Sequence, residues 1–166
     1  MTEILLTPVL ENEIPALQKL ALATWEPTYC NIISKEQIEY MYDEIYSDEA
    51  LQKQMQNGQR FFFILEAAET VGFLSFSCTD PEEGRFKLNK IYLLPEMQGH
   101  GFGRQALTGA EEIVKKLHGK VLELNVNRLN KAKVFYENCG YKIVRVEDIP
   151  IGEYFMNDYV MEKQLA

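Results

Sequence analysis

The sequence predicts a mixed α/β domain, and three observations carry that expectation. First, three β-rich segments follow one another mid-chain: Phe61 to Leu65, Val71 to Phe76 and residues 85–94, with short turns between them. Second, apolar residues recur at helical spacing on either side, as Ile14, Leu17, Leu20 and Ala21, and again as Phe102, Ala106, Ala110, Ile113 and Leu117. Third, 166 residues that are 46% hydrophobic and 25% charged can build one core without disulfides or metal. Neither regular βαβ alternation nor a sandwich fits that order. Residues 1–166 are therefore expected to form a single domain.

Taken in order, residues 3–10 read as a strand. A helix follows over 11–24 with Asn12 as N-cap, and then a loop holding Pro27. Ser34, with Gln37 three residues on, opens a second helix as a capping box. Ser47 caps a short third one that ends near Asn57-Gly58. A turn around Glu69 and another at Asp80 to Gly84 separate the three central strands. A long helix runs from Phe102 to Gly119, a strand covers 121–126, and a helix spans 130–139, closed by Gly140. Strands over 141–146 and 154–162 complete the order β-α-α-β-β-β-α-β-α-β-β. In the strand at 85–94, apolar residues fall on the even positions Phe86 and Leu88, then on the odd positions Ile91 and Leu93. That change of parity predicts a bulge near Asn89-Lys90, which frees backbone amides beside the strand's end.

Seventeen basic and 25 acidic residues give a net charge of -8. An acidic surface argues against nucleic acid as a partner and favours a cationic or amine-bearing one. Cys30, Cys78 and Cys139 have no metal-like spacing, and we expect three reduced, mostly buried thiols and no metal. Without a basic n-region or a long apolar run, the expectation is a soluble, unprocessed cytoplasmic protein with no membrane partner.

The chemistry concentrates in Gln98-Gly99-His100-Gly101-Phe102-Gly103-Arg104, between a strand and an amphipathic helix. Glycines there let the chain aim several N–H groups at one point, and a helix N-terminus adds partial positive charge, which together suit phosphate. The spacing is not the dinucleotide G-x-G-x-x-G, and no Gly-Lys-Ser/Thr of a P-loop is present. Gln98, Gly101 and Gly103 match Q/R-x-x-G-x-G/A. Downstream, Asn127 and the run Asn130 to Tyr141 match N-x-A-x-x-F-Y-x-x-x-G-F/Y. In these two motifs and in element order the chain resembles the GNAT superfamily of acyl-CoA N-acyltransferases.

That resemblance implies the GNAT fold, a central mixed, mostly antiparallel sheet of about seven strands flanked by helices. It implies acetyl-CoA as cofactor and an N-acetyltransferase that acts on a primary amine by direct attack in a ternary complex. The backbone of Ile91 and Leu93 would pair with the pantetheine arm. Gln98, Gly99, His100, Gly101, Phe102, Gly103 and Arg104 would form the phosphate loop, with Asn127 and Asn130 along the cofactor arm. Tyr136 would stand near the sulfur as acid, and a phenol of pKa about 10 keeps its proton at neutral pH. Where many relatives carry a Glu as base, this strand has Lys87, Asn89 and Lys90. A water chain, Glu26, Tyr29, Asp148, Glu153 and Asp158 remain candidates for that task. The acidic balance favours a polyamine-like or small cationic amine as acceptor, with a protein lysine or amino terminus second. The alternatives are a CoA-binding sensor without turnover and an interaction module on the same fold. The sequence leaves monomer and homodimer open.

Overall fold

A computed structural model describes residues 3–165. The amino-terminal part comprises β1 (Ile4–Pro8), α1 (Ile14–Tyr29), α2 (Lys35–Tyr46) and α3 (Asp48–Gln56). Three consecutive strands follow: β2 (Arg60–Glu66), β3 (Glu69–Asp80) and β4 (Arg85–Leu93). Then come α4 (Phe102–Lys116), β5 (Val121–Asn127), α5 (Ala132–Asn138), β6 (Lys142–Ile151) and β7 (Tyr154–Gln164). The seven strands form one sheet in the order β1-β2-β3-β4-β5-β7-β6. Every neighbouring pair is antiparallel except β4 and β5, which run parallel.

The β4–β5 pair positions everything that follows. It is joined only from Arg85 opposite Val121 to Leu88 opposite Leu124. Beyond Leu88, β4 continues against β3 alone, and beyond Leu124, β5 continues against β7 alone. The sheet is therefore split by a wedge that opens toward the carboxyl ends of both strands. The split begins at a bulge: Lys90 lies opposite Ser75 and Leu88 opposite Phe76, so Asn89 is the extra residue. Phe86 and Leu88 before it, and Ile91 and Leu93 after it, pack on the same side of the sheet. The parity change in the sequence is this bulge.

Each face of the sheet buries its own core. Phe62, Leu74, Phe76, Leu88, Leu122 and Leu124 meet α4 and α5 on one side. Phe61, Phe63 and Phe73 meet Leu17, Trp25, Met41 and Leu51 of α1, α2 and α3 on the other. A fully buried side chain of this size contributes roughly 1.5–3 kcal/mol, so both layers are needed to hold the sheet flat between them.

Several boundaries differ from the sequence expectation. The first helix begins at Ile14, after a 3-10 turn at Glu11–Glu13, so Asn12 is not its cap. That helix also runs through Pro27 to Tyr29. Proline there removes one amide donor. The helix keeps Cys30 N–H to Glu26 O at 2.9 Å and buries Trp25 and Tyr29, which holds the last turn in place. Three helices separate β1 from β2, as the caps at Ser34 and Ser47 predict and one more than the compressed element order counts: Ser47 ends α2 and accepts from Ala50 N–H at 3.2 Å to cap α3. Ser34 accepts from Gln37 N–H as expected, but the Gln37 side chain donates to Phe155 O instead of closing a box. β6 is longer than expected because an edge strand tolerates Pro150. Cys30 and Cys78 are exposed and Cys139 is half-buried, so the thiols are not mostly buried. Among the described residues no helix is long and apolar enough to cross a membrane.

Candidate active site

The end of β4 offers a free strand edge to the wedge. Leu94 N–H donates to Val71 O of β3 at 2.9 Å. Antiparallel pairing alternates direction, so the peptide groups of Ile91 and Leu93 point away from β3 and into the gap. Gln98 Nε2 reaches Leu93 O only weakly, at 3.4 Å. Just beyond, Gly99 and Gly101 hold φ +82° and +81°, the left-handed region that glycine enters freely, and a Cβ at either would meet open space. Gly101 is the N-cap of α4. Among the described residues, no acceptor meets the amides from Gly99 to Arg104, and the first α4 bond is Gln105 N–H to Gly101 O at 3.2 Å. Consecutive acceptorless amides at a helix N-terminus, in an open concavity, suit a phosphate group.

The motif side chains divide between that cradle and its supports. His100 is exposed, with its ring 5.6 Å from that of Phe102, which is buried at the start of α4. At Gly103 a Cβ would make ordinary contact with the Phe135 ring at 3.4 Å and with Leu93 at 3.6 Å, so the position has room for a small side chain. Arg104 donates to Asn138 O at 3.2 Å and so ties α4 to the end of α5. Asn127 is buried and accepts from Leu129 N–H at 3.0 Å, while Asn130 accepts from Ala132 N–H at 2.9 Å. Both amides shape the β5–α5 loop, and the Asn130 NH₂ donates to no acceptor among the described residues.

Tyr136 projects from α5 and is 8% exposed. Its hydroxyl has no hydrogen-bond partner among the described residues. Burial pushes its pKa well above the ordinary phenol value, with smaller contributions from Tyr29 and Cys139. Tyr136 packs with the α4–α5 core, whereas Tyr29 and Tyr92 belong to the α1–α3 side. Tyr29 and Tyr92 share a hydrogen bond of 3.0 Å, and the Trp25 ring lies 4.6 Å from that of Tyr29. Burial raises the Tyr29 phenol to about 12. Tyr92 and Trp25 had no role in the sequence reading. Counting parity through the bulge places Tyr92 opposite Ile91, which is the signal that finds it.

On the same face, the carboxylate of Asp158 is 5% exposed and stands opposite Asn127 across the β5–β7 pair. Its Oδ2 accepts from Asn125 Nδ2 at 3.2 Å. Its Oδ1, and the Oδ1 of Asn125, are buried with no partner among the described residues. Burial raises the Asp158 pKa from the ordinary carboxylate value. The other acids singled out lie elsewhere: Asp148 is paired with Arg128 at 2.7 Å, and Glu26 and Glu153 are exposed. Lys90 turns away from the wedge, its Nζ held by Gln54 Oε1 at 2.7 Å and Gln59 Oε1 at 2.6 Å.

A free strand edge, an amide cradle beside it and a phenol at the split between them fit the arm, pyrophosphate and thioester end of an acyl-CoA. Fold and cradle thus define an acyl-CoA-dependent acetyltransferase. Residues 30–152 match the sequence profile of the Acetyltransferase (GNAT) domain, and the chain belongs to that family. It is 28% identical over 159 residues to spermidine N(1)-acetyltransferase of Thermoplasma acidophilum, covering 92% of both chains. It is also similar to the crystal structure of the PaiA N-acetyltransferase of that organism in complex with coenzyme A. The TM-score is 0.79 at 28% identity, over 98% of this chain and 99% of the other. A GCN5-related N-acetyltransferase from Rhodopseudomonas palustris shares the fold at TM-score 0.83 and 18% identity, over 99% and 98%.

Proposed function

We propose that this acetyltransferase moves acetyl from acetyl-CoA to a primary amine of a polyamine or similar small cation, by direct attack in a ternary complex. Acetyl-CoA, when bound, supplies a thioester carbonyl open to amine attack and a thiolate as leaving group. The backbone of Ile91 and Leu93 aligns the arm in the wedge, and the amides of Gly99 to Arg104 hold the pyrophosphate. Asn130 Nδ2 donates to the cofactor arm. Tyr136 Oη donates its hydrogen to the departing sulfur. The phenol's raised pKa does not defeat that role, because the same dry surroundings raise the proton affinity of a thiolate. We read residues 1–166 as one such domain.

The observation that carries the acceptor class is a cavity of about 520 Å³ between α1 and α2. Glu26, Glu39 and Asp43 line it with Trp25 and Tyr42, against the single base Lys35. Carboxylates attract ammonium groups and aromatic faces favour cations and methylene chains. Trp25, which lines the cavity, packs its ring 4.6 Å from that of Tyr29. The similarity to a spermidine acetyltransferase supports the same reading. A panel of amines assayed by thiol release tests it. Spermidine should exceed propylamine and a lysine peptide by at least tenfold in kcat/KM. Preference for the peptide would move the acceptor class to proteins.

A further inference from the structure

We propose that Asp158, paired with Asn125, receives the acceptor's ammonium group and takes its proton, as the base of the reaction. The proposal rests on the reading of the wedge as the acetyl-transfer site.

Two buried acceptor atoms, Asp158 Oδ1 and Asn125 Oδ1, have no donor among the described residues. They belong to side chains already linked through Asn125 Nδ2 and Asp158 Oδ2. Buried polar atoms are ordinarily satisfied, and a carboxylate oxygen left alone is especially costly. A primary ammonium carries three donors and a positive charge, which satisfies both atoms at once. The position is also right. Asn125 and Asp158 lie on the stretch of β5 and β7 past Leu124, where β5 has lost its β4 partner. Leu122, Leu124 and Val126 face the α4–α5 core, so Asn125 projects to the opposite, α1–α3 face.

The rival bases fail on geometry. Asp148 is occupied by Arg128, Glu26 and Glu153 are exposed, and the Tyr29 hydroxyl is engaged by Tyr92. The charged groups acting on Asp158 are Lys87 of β4, Arg128 of the β5–α5 loop and Glu147 of β6, besides Tyr29 of α1. Asp158 Oδ1 removes one proton from the ammonium. The freed nitrogen pair forms the C–N bond while the C–S bond breaks and sulfur keeps its electrons. The second nitrogen proton ends on sulfur by way of Tyr136 Oη, and Asp158 returns its own to solvent. Ammonium plus thioester thus becomes amide, thiol and one proton.

The test compares Asp158→Asn with the wild type on two acceptors, propylamine, which is charged at pH 7, and trifluoroethylamine, which is already neutral. A base contributes about 10²–10⁴-fold. The variant should lose at least 100-fold in kcat/KM for propylamine and less than threefold for trifluoroethylamine. Its propylamine activity should recover tenfold per pH unit as free amine appears. Equal losses on both amines would overturn the proposal and make Asp158 structural. Asn125→Ala provides a second reading that needs no loss of the carboxylate. Removing that donor raises the Asp158 pKa further, so the acid limb of the propylamine profile should move to higher pH. An unmoved limb contradicts the assignment. By calorimetry, Asp158→Asn should weaken propylamine binding to the coenzyme A complex at least tenfold with coenzyme A affinity unchanged, and unchanged amine affinity would also contradict it. None of these outcomes depends on spermidine being the preferred acceptor, so a failure of the polyamine reading is visible separately in the amine panel.

Discussion

Tyr136 combines two properties that conflict elsewhere in a protein: a buried phenol and an unused hydroxyl. Its pKa is raised mainly by burial, so it holds its proton more firmly than a free phenol. Tyr136→Phe keeps the ring in the core and removes only the donor. It should lower kcat by about 10²-fold with little change in acetyl-CoA affinity, read from steady-state kinetics and calorimetry together. Wild-type turnover would reduce Tyr136 to packing. Lys90 gives a second residue-scale prediction, on stability. Burial, and then the charge of Lys87, lowers its pKa to about 7, against an unfolded value of about 10.4. Below about pH 7 both states hold the proton. From there to about pH 10 the unfolded chain keeps a proton that the folded chain has released, so stability rises with pH. Urea denaturation across that range should show the rise in the wild type and a flatter curve in Lys90→Met. Parallel curves would mean that the ammonium stays charged in its nest of glutamine oxygens and aromatic rings.

The element that matters most is α4, because its first turn carries the amide cradle. It is fixed from beneath by Glu111, 6% exposed, which accepts from Tyr141 Oη at 2.8 Å and from Lys163 Nζ at 3.0 Å. These bonds tie α4 to β7 and to Tyr141, the residue directly before β6. Glu111→Ala orphans both donors, and denaturant titration should show a loss of about 2 kcal/mol. A change under about 0.5 kcal/mol would mean that apolar packing alone seats the helix. This level was largely legible in the sequence. The amphipathic run from Phe102 and the glycines before it need no tertiary information, and the bulge at Asn89 shows as a change of parity. What was hidden depends on partners. Whether a helix continues past Pro27 is decided by what Trp25 and Tyr29 bury against. Asp158 read as one acid among several because its isolation comes from β5 and Asn125, which no local pattern announces.

At the scale of the whole molecule, the sheet divides two chemistries. The α4–α5 layer carries the amide cradle and Tyr136, the α1–α3 layer carries the acidic and aromatic cavity, and the wedge between β4 and β5 splits the sheet that separates them. A net charge of -8 adds a field that draws cations to the second layer. Acids on the α2–α3 segment and around 147–158 contribute, Asp148 being held by Arg128 and Asp158 lying inside. If that field guides the acceptor, salt must weaken it, since screening cuts its reach to about 8 Å at physiological ionic strength. The most direct measurement is kcat/KM by thiol release at rising salt, with spermidine and with trifluoroethylamine as acceptors. A steep fall for spermidine beside a nearly flat line for the neutral amine is the expected result, and equal slopes for the two would contradict the assignment of a cationic acceptor.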